Sequence, residues 1–406
     1  MSDRVRPRVL LIGPTPPPFH GVAVFTRMLL ASPQLASRYE LLHLDTADRR
    51  GLDNLGRLDA GNVARAVGDA ARLAALLRRE RPDLVYLPVS QNPWAYTRDA
   101  LFIALARASG AGVVTHLHGS ALRELHDAAG APLRTLIRAT TARLDAALVL
   151  SDRFRTLYDG LLPAERVHVA PPGVAEPLDR PAHADTRRAD VRDVDAQRTD
   201  TLTVLYLGML CEAKGVGDLL RAAARLREHR PRLRFVLAGE WVGEAERRLA
   251  LDIVNRERLD AHVTFPGTVD NGAKTRLLRS ADIVVLPSRQ AEGLPLVLLE
   301  AMACARAVIA TPQGAVGDAV VDGETGALTQ PRRPAALAAA LARMAGDVAL
   351  RERLGRAGRA RYAAAFTDAH AAEAVARAWD AVLLPEAVRA PARVRERARE
   401  RAAVRA

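Results

Sequence analysis

Lysine is almost absent from this chain. Of its 59 basic residues only Lys214 and Lys274 are lysines, and the other 57 are arginines. Aromatic residues are scarce as well, at 4%. They show no stacking pattern, which argues against a nucleic-acid platform despite a net charge of +12. The two cysteines, Cys211 and Cys304, cannot build a disulfide framework, and a reducing cytoplasm is the simplest compartment. No apolar run reaches the roughly 18 residues of a membrane span. The N-terminal residues Met1 to Arg6 lead into an apolar strand without a signal-peptide core. No strand is followed by Gly-x-Gly-x-x-Gly, so the dinucleotide fingerprint is missing.

What is present is ample core material, 49% hydrophobic over 406 residues, enough for two domains or three. The charge is unevenly spread. Residues 1–175 carry 22 basic and 16 acidic groups, residues 176–388 carry 30 and 29, and residues 389–406 carry seven arginines and two glutamates. A basic first half and tail suit an anionic membrane surface carrying a lipid-linked acceptor, and equally a solvated surface of an arginine-rich chain.

Short apolar runs alternate with helical stretches, twice over. Strands are expected at 8–12, 39–44, 84–88, 112–117, 146–150 and 167–170. A second set is expected at 202–207, 234–238, 263–266, 283–286 and 307–310. Helices are expected at 22–30, 63–79 and 98–108, then at 216–228, 244–255, 272–279, 295–303 and 335–345. Continuous apolar strands alternating with helices imply α/β architecture with parallel sheets covered on both faces. The expected organisation is two doubly wound, Rossmann-like domains, 1–175 and 201–365, facing each other across a cleft. A polar, charge-rich linker at 176–200 separates them. A helix at 366–385 follows, then a basic tail at 386–406.

Ligands in such sheets bind outside the carboxyl ends of the strands, so each strand-to-helix turn is a candidate. The first, from Gly13 to Val22, is stiffened by four prolines, and Gly21 opens a helix whose amides a ligand could approach. In the second, Thr115-His116-Leu117-His118-Gly119, the two histidines share one face of the strand. His118, at the strand end, is the candidate for chemistry and His116 the packing residue. No third ligand stands at zinc-site spacing. The third turn holds Lys214, a compact charge before a helix start, suited to a phosphate. Lys274, after Asn271-Gly272, reads as a solvated loop charge. The fourth is Glu292-Gly293-Leu294-Pro295-Leu296-Val297-Leu298-Leu299-Glu300. Pro295 suits a first helical position. Glu300, on an otherwise apolar helix, needs partners such as sugar hydroxyls.

Together these turns resemble the GT-B glycosyltransferases, specifically retaining glycosyltransferase family 4. Glu292 and Glu300 reproduce that family's E-x7-E pattern, Lys214 falls on its phosphate lysine, His118-Gly119 on its histidine turn and Gly21 on its N-terminal glycine loop. Thr311-Pro312-Gln313-Gly314 and Asp322-Gly323-Glu324-Thr325-Gly326 are similar to the turns that follow. The resemblance implies a nucleotide-diphosphate sugar held mostly by the second domain. Lys214 and the amides of Leu296 and Val297 would take the diphosphate, and Glu300 the ribose. Glu292 and His118 would face the transferred sugar, with Gly21 close to the phosphates and Gly267-Thr268-Val269 against the base. It also implies a terminal helix that crosses back to the first domain. No metal and no cofactor are expected, because the protein supplies the charge and no Asp-x-Asp motif stands in a suitable turn.

Two positions depart from the family pattern. Met209 occupies the place of an arginine that usually accompanies the lysine, and Pro172-Gly173 replaces an asparagine-glycine. The implied activity is transfer of a sugar to a hydroxyl acceptor with retention, in polysaccharide, lipopolysaccharide or glycolipid synthesis. The rivals are a nucleotide-sugar-binding subunit without turnover and another GT-B enzyme such as an epimerase.

Overall fold

A computed structural model describes residues 6–49, 59–176, 201–230 and 232–384. The basic tail, and the linker beyond Glu176, lie outside the described residues. The chain divides into two compact units. One runs to Pro171 and takes the chain back at Ala371; the other is Pro172–His370.

In the first unit the strands are β1 (Arg8–Gly13), β2 (Glu40–Asp45), β3 (Leu84–Pro88), β4 (Gly112–Leu117), β5 (Ala146–Val149) and β6 (Val167–Val169). They form one sheet in the order β2-β1-β3-β4-β5-β6, with every neighbouring pair parallel. The second unit contains β7 (Leu202–Leu207), β8 (Leu233–Ala238), β9 (Val263–Gly267), β10 (Ile283–Leu286), β11 (Ala307–Ala310) and β12 (Ala327–Leu328). Its order is β12-β11-β10-β7-β8-β9, again all parallel. The sequences explain why: Val9 to Ile12 and Ile283 to Val285 are buried without alternation, as strands covered on both faces require.

Each sheet has one place where strand order reverses. In the first it lies between β1 and β3, in the second between β7 and β10. Chains leaving these neighbouring strands run to opposite faces, and the gap between them is where ligands enter open α/β sheets.

The helices pack by simple amphipathic logic. Helix Val216–Leu226 buries Val216, Leu219, Leu220, Ala223 and Leu226 and turns Arg221 and Arg225 outward. The terminal helix, Asp368–Leu383, crosses back and completes the first unit's core. Its Trp379 is fully buried, with ring centroids 5.2 Å from Tyr39 and 5.6 Å from Tyr86. Around it Arg38 pairs with Glu373 at 3.0 Å and also with Asp380, while the Tyr39 hydroxyl donates to Asp380 at 2.6 Å. Among the described residues no helix is long and apolar enough to cross a membrane.

Several elements have no counterpart in the sequence reading, among them helices Pro33–Arg38, Leu122–Ala128, Ala131–Thr141 and Val348–Ala365 and strand β12. Strand β12 is two residues long and offers no apolar run. Helix Val348–Ala365 buries Leu350, Leu354 and Tyr362 but also Gly355 and Gly358, so part of its packing face carries no hydrophobic signal. A Cβ at Gly355 would stand 2.2 Å from the Ala305 carbonyl oxygen, which explains the residue.

Candidate functional site

The second unit's site is built on β7 and β10, the pair flanking its reversal point. After β7 the chain makes a short turn, Glu212–Lys214, and enters helix Val216–Leu226 through Gly215. Gly215 has φ of 79°, and a Cβ there would lie 1.9 Å from the Pro287 carbonyl oxygen; only glycine fits. The close approach joins this turn to the loop that follows β10, where the Arg289 N–H donates to the Ala213 carbonyl at 2.9 Å.

That junction brings Lys214 onto Glu292. The Lys214 Nζ donates to Glu292 Oε1 at 2.7 Å and to Oε2 at 2.8 Å. The Ser288 hydroxyl also donates to Oε1, and the Thr311 hydroxyl fixes the Ser288 carbonyl at 2.6 Å. Gly314, with φ of 61°, lets the turn after β11 press on the same loop; a Cβ there would meet the Glu292 carbonyl oxygen at 1.6 Å. Lys214 and Ser288 therefore hold the carboxylate, and the Gly314 turn packs against the backbone that carries it.

Glu300 projects from helix Leu296–Ala303, whose Leu298, Leu299, Ala301, Met302 and Ala303 are buried. Its partner is Lys274, whose Nζ donates to Glu300 Oε1 at 2.5 Å. Lys274 is thus not the solvated loop charge its neighbours suggest. Asp270 caps helix Asn271–Ser280 by accepting from the Ala273 N–H, so Asn271-Gly272 begins a helix, and Lys274 on its first turns reaches inward. Both lysines of the chain are engaged by the two glutamates of the seven-spaced pair. The two pairs remain separate, with no hydrogen bond or ion pair joining them among the described residues.

Pro295 is the N-cap residue rather than the first helical one, and its side chain offers no cap. The amides of Leu296 and Val297 begin the helix without a side-chain acceptor, leaving positive dipole at that end. Val269 lies half-buried between β9 and the helix that carries Lys274. Met209 is 41% exposed, and its carbonyl accepts from the Tyr206 hydroxyl at 2.7 Å. Arg289, in the loop bonded to the Lys214 turn, does not replace the missing arginine. Its Nε donates to Asp218 at 2.7 Å and its Nη1 pairs with Glu212.

In the first unit His118 follows β4 and His116 lies within it. The shared face is confirmed: their ring centroids are 4.2 Å apart. His116 is fully buried and its Nδ1 lies 2.7 Å from the Tyr86 hydroxyl. His118 packs on Phe25 at 4.9 Å, and Phe25 belongs to helix Gly21–Leu30. Burial pushes the His118 pKa down to about 3 and that of His116 well below the ordinary range; both rings are neutral. Gly21 is the first residue of its helix, His20 caps it, and the space beside Gly21 is open.

The sequence alone did not single out Ser288, Arg289 or Asp218. Ser288 and Arg289 directly follow Pro287 in the loop after a buried strand, and their role appears only when that loop meets the Lys214 turn.

Comparison with known proteins gives the family and the fold. Residues 188–361 match the family model described as glycosyl transferases group 1. Residues 14–176 match that described as glycosyltransferase family 4. The chain belongs to the group 1, family 4-like glycosyltransferases. It is similar to a glycogen synthase of Mycobacterium tuberculosis, 36% identical over 169 residues, covering 42% of this chain and 40% of that protein. It is also similar to a D-inositol 3-phosphate glycosyltransferase of Paenarthrobacter aurescens, 34% identical over 194 residues, 47% of this chain and 46% of that one. The chain spans about half the length of these curated relatives. The GT-B fold is shared with Anabaena HepE, solved in complex with UDP-glucose, at a TM-score of 0.71 and 19% identity, covering 92% of this chain and 99% of that one.

Proposed function

We propose that the protein transfers a sugar from a nucleoside-diphosphate donor to a hydroxyl acceptor, with retained anomeric configuration. The observation that carries this reading is the Lys214–Glu292 contact at the reversal point of the second sheet, beside a helix start with uncapped amides.

Negative charge grows on the leaving diphosphate as the glycosidic bond breaks. A lysine already fixed in place, together with the amides of Leu296 and Val297, stabilises that charge without reorganising. Glu292 orients the lysine and faces the transferred sugar, whose anomeric carbon becomes cationic. It positions and stabilises rather than attacks. The leaving phosphate takes the acceptor proton, so retention follows from attack on the face the donor leaves. Glu300, shared with Lys274, accepts from the ribose hydroxyls, and Val269 lies against the base. His118 is neutral, so it serves as a hydrogen-bonding group toward the sugar, and Gly21 leaves room for phosphate. No metal is required in this scheme. UDP-sugars are the first donors to test, because the structural neighbour HepE is recorded with UDP-glucose. Cell-surface polysaccharide, lipopolysaccharide or glycolipid assembly is the setting we infer, at the cytoplasmic face of a membrane.

Proton NMR of the product tests the reading. An α-donor should give an α-linked product with the acceptor present, and release of nucleotide should depend on acceptor. A β-linked product would overturn retention. One observation favours a second reading, a donor-binding subunit without turnover: Met209 leaves the site with Lys214 as the phosphate-facing cation. Binding without turnover across donors and acceptors would support it.

A further inference from the structure

The segment that carries Lys214 cannot hold its own shape. Glu212–Lys214 is a single short turn with no side-chain cap, too short to offset the cost of fixing its backbone. Its geometry must come from contacts made elsewhere in the chain. Two are backbone contacts, Gly215 against Pro287 and the Ala213 carbonyl with the Arg289 N–H.

Beside them stands the side chain of Arg289, 17% exposed, in the loop that also carries Glu292. Its guanidinium spans two carboxylates of the Lys214 segment. Nε and Nη2 each donate to one oxygen of Asp218, at 2.7 Å through Nε, and Nη1 pairs with Glu212. Asp218 comes four residues after Lys214, in the first turn of helix Val216–Leu226, and is 3% exposed. Glu212 comes two residues before it. The Glu212 carboxylate folds over the helix start, where a Cβ at Gly217 would stand 2.2 Å from Oε2. Its backbone N–H donates to Glu246 at 2.9 Å. The fork thus grips the turn on both sides of the lysine, while its own loop holds Glu292.

Arginine suits this place better than any other cation. A planar fork serves one carboxylate through two bonds and still reaches a second, whereas an ammonium is a point donor. Arg221 lies near the same carboxylates, at 3.6 Å from Glu212 and 3.9 Å from Asp218, with 42% of its side chain exposed. Pairs that long and that exposed contribute little. All three nitrogens of Arg289 are committed inside the chain, so it meets a phosphate only through Lys214.

We propose that Arg289 is a positioning residue for the donor: by clamping Glu212 and Asp218 it fixes the Lys214 ammonium at Glu292, where the diphosphate meets it. The inference rests on the donor reading for the identity of the ligand, but the clamp on Lys214 does not.

The scarcity of lysine makes the test direct. Lysine labelled at Cε and Nζ gives two side-chain NMR signals from the full chain, and Lys274→Arg assigns them. In Arg289→Gln the Lys214 signal should move toward that of free lysine while the Lys274 signal stays. Calorimetry with UDP, GDP and ADP should show diphosphate affinity falling about tenfold in Arg289→Gln, and changing by less than about twofold when the same substitution is made in Lys214→Ala. A residue that only supports the fold would lower the thermal midpoint, leave the Lys214 signal in place and cost the same affinity in both backgrounds. Arg289→Gln strands a buried carboxylate. Arg289→Gln combined with Asp218→Asn removes both charges and gives the same readouts should the single variant fold poorly. An unmoved Lys214 signal, or an equal loss of affinity with and without Lys214, would overturn the proposal. A moved signal with no diphosphate binding to any of these proteins would uphold the clamp and count against the donor reading alone.

Discussion

Replacing Met209 by arginine would add a second cation to the turn that carries Lys214. The four paired groups, Lys214, Lys274, Glu292 and Glu300, sum to zero charge, so an incoming diphosphate meets little net attraction. Met209→Arg is therefore expected to tighten nucleoside diphosphate binding by about tenfold, read by calorimetry. Unchanged or weaker binding would mean that the diphosphate does not reach this turn. Lys214→Ala should cut turnover by on the order of 100-fold or more, because the charge it meets is greatest in the transition state. The histidines give a pH prediction. Burial depresses the pKa of His116 and His118, so the unfolded chain binds protons below about pH 6.5 that the folded chain refuses. The stability these neutral rings contribute is present above that value and is lost as pH falls toward 3. The thermal midpoint should drop between pH 7 and pH 4.5, with a shallower drop in His118→Asn. Equal slopes in the two proteins would contradict the burial argument. Lys274 shows where reading the sequence stops. Its local context, Asn-Gly, reads as a loop, and its partner lies 26 residues on in another helix, beyond any local period.

Among the elements, the terminal helix has the clearest energetic role. Trp379 fills the first unit's core against Tyr39 and Tyr86, and truncating so large a buried side chain costs about 3–5 kcal/mol. Trp379→Ala should lower the urea midpoint accordingly, while Arg377→Ala, on the exposed side of the same helix, should change it little. Equal effects from the two would show that the helix is not a core element. The strands were legible because a parallel sheet buries both faces, leaving unbroken runs such as Val204 to Leu207. Helix ends were less so: Pro295 suits a first helical position by composition but adopts an extended ψ of 126° and caps instead. The packing of helix Val348–Ala365 was invisible because two of its contacts are made by glycines.

At the scale of the whole molecule, each unit places its polar groups where strand order reverses. In the first unit Asp69 and Arg65 line a cavity there; in the second it is the Lys214–Glu292 pair. The sequence exposed the second site through its spacing of carboxylates and its rare lysine, and missed the first cavity because Asp69 and Arg65 are ordinary residues of a charged helix. Net charge is a property of the chain as a whole, +12, and we expect salt-sensitive sedimentation with anionic liposomes. No binding at low salt would remove the membrane from the account. The most direct test of the central claim is a calorimetric titration of UDP, GDP and ADP into wild type and Lys214→Ala. The account predicts that one diphosphate binds the wild type and that its affinity falls at least tenfold in the variant. Equal affinity in the two proteins, or no binding to either, would contradict it.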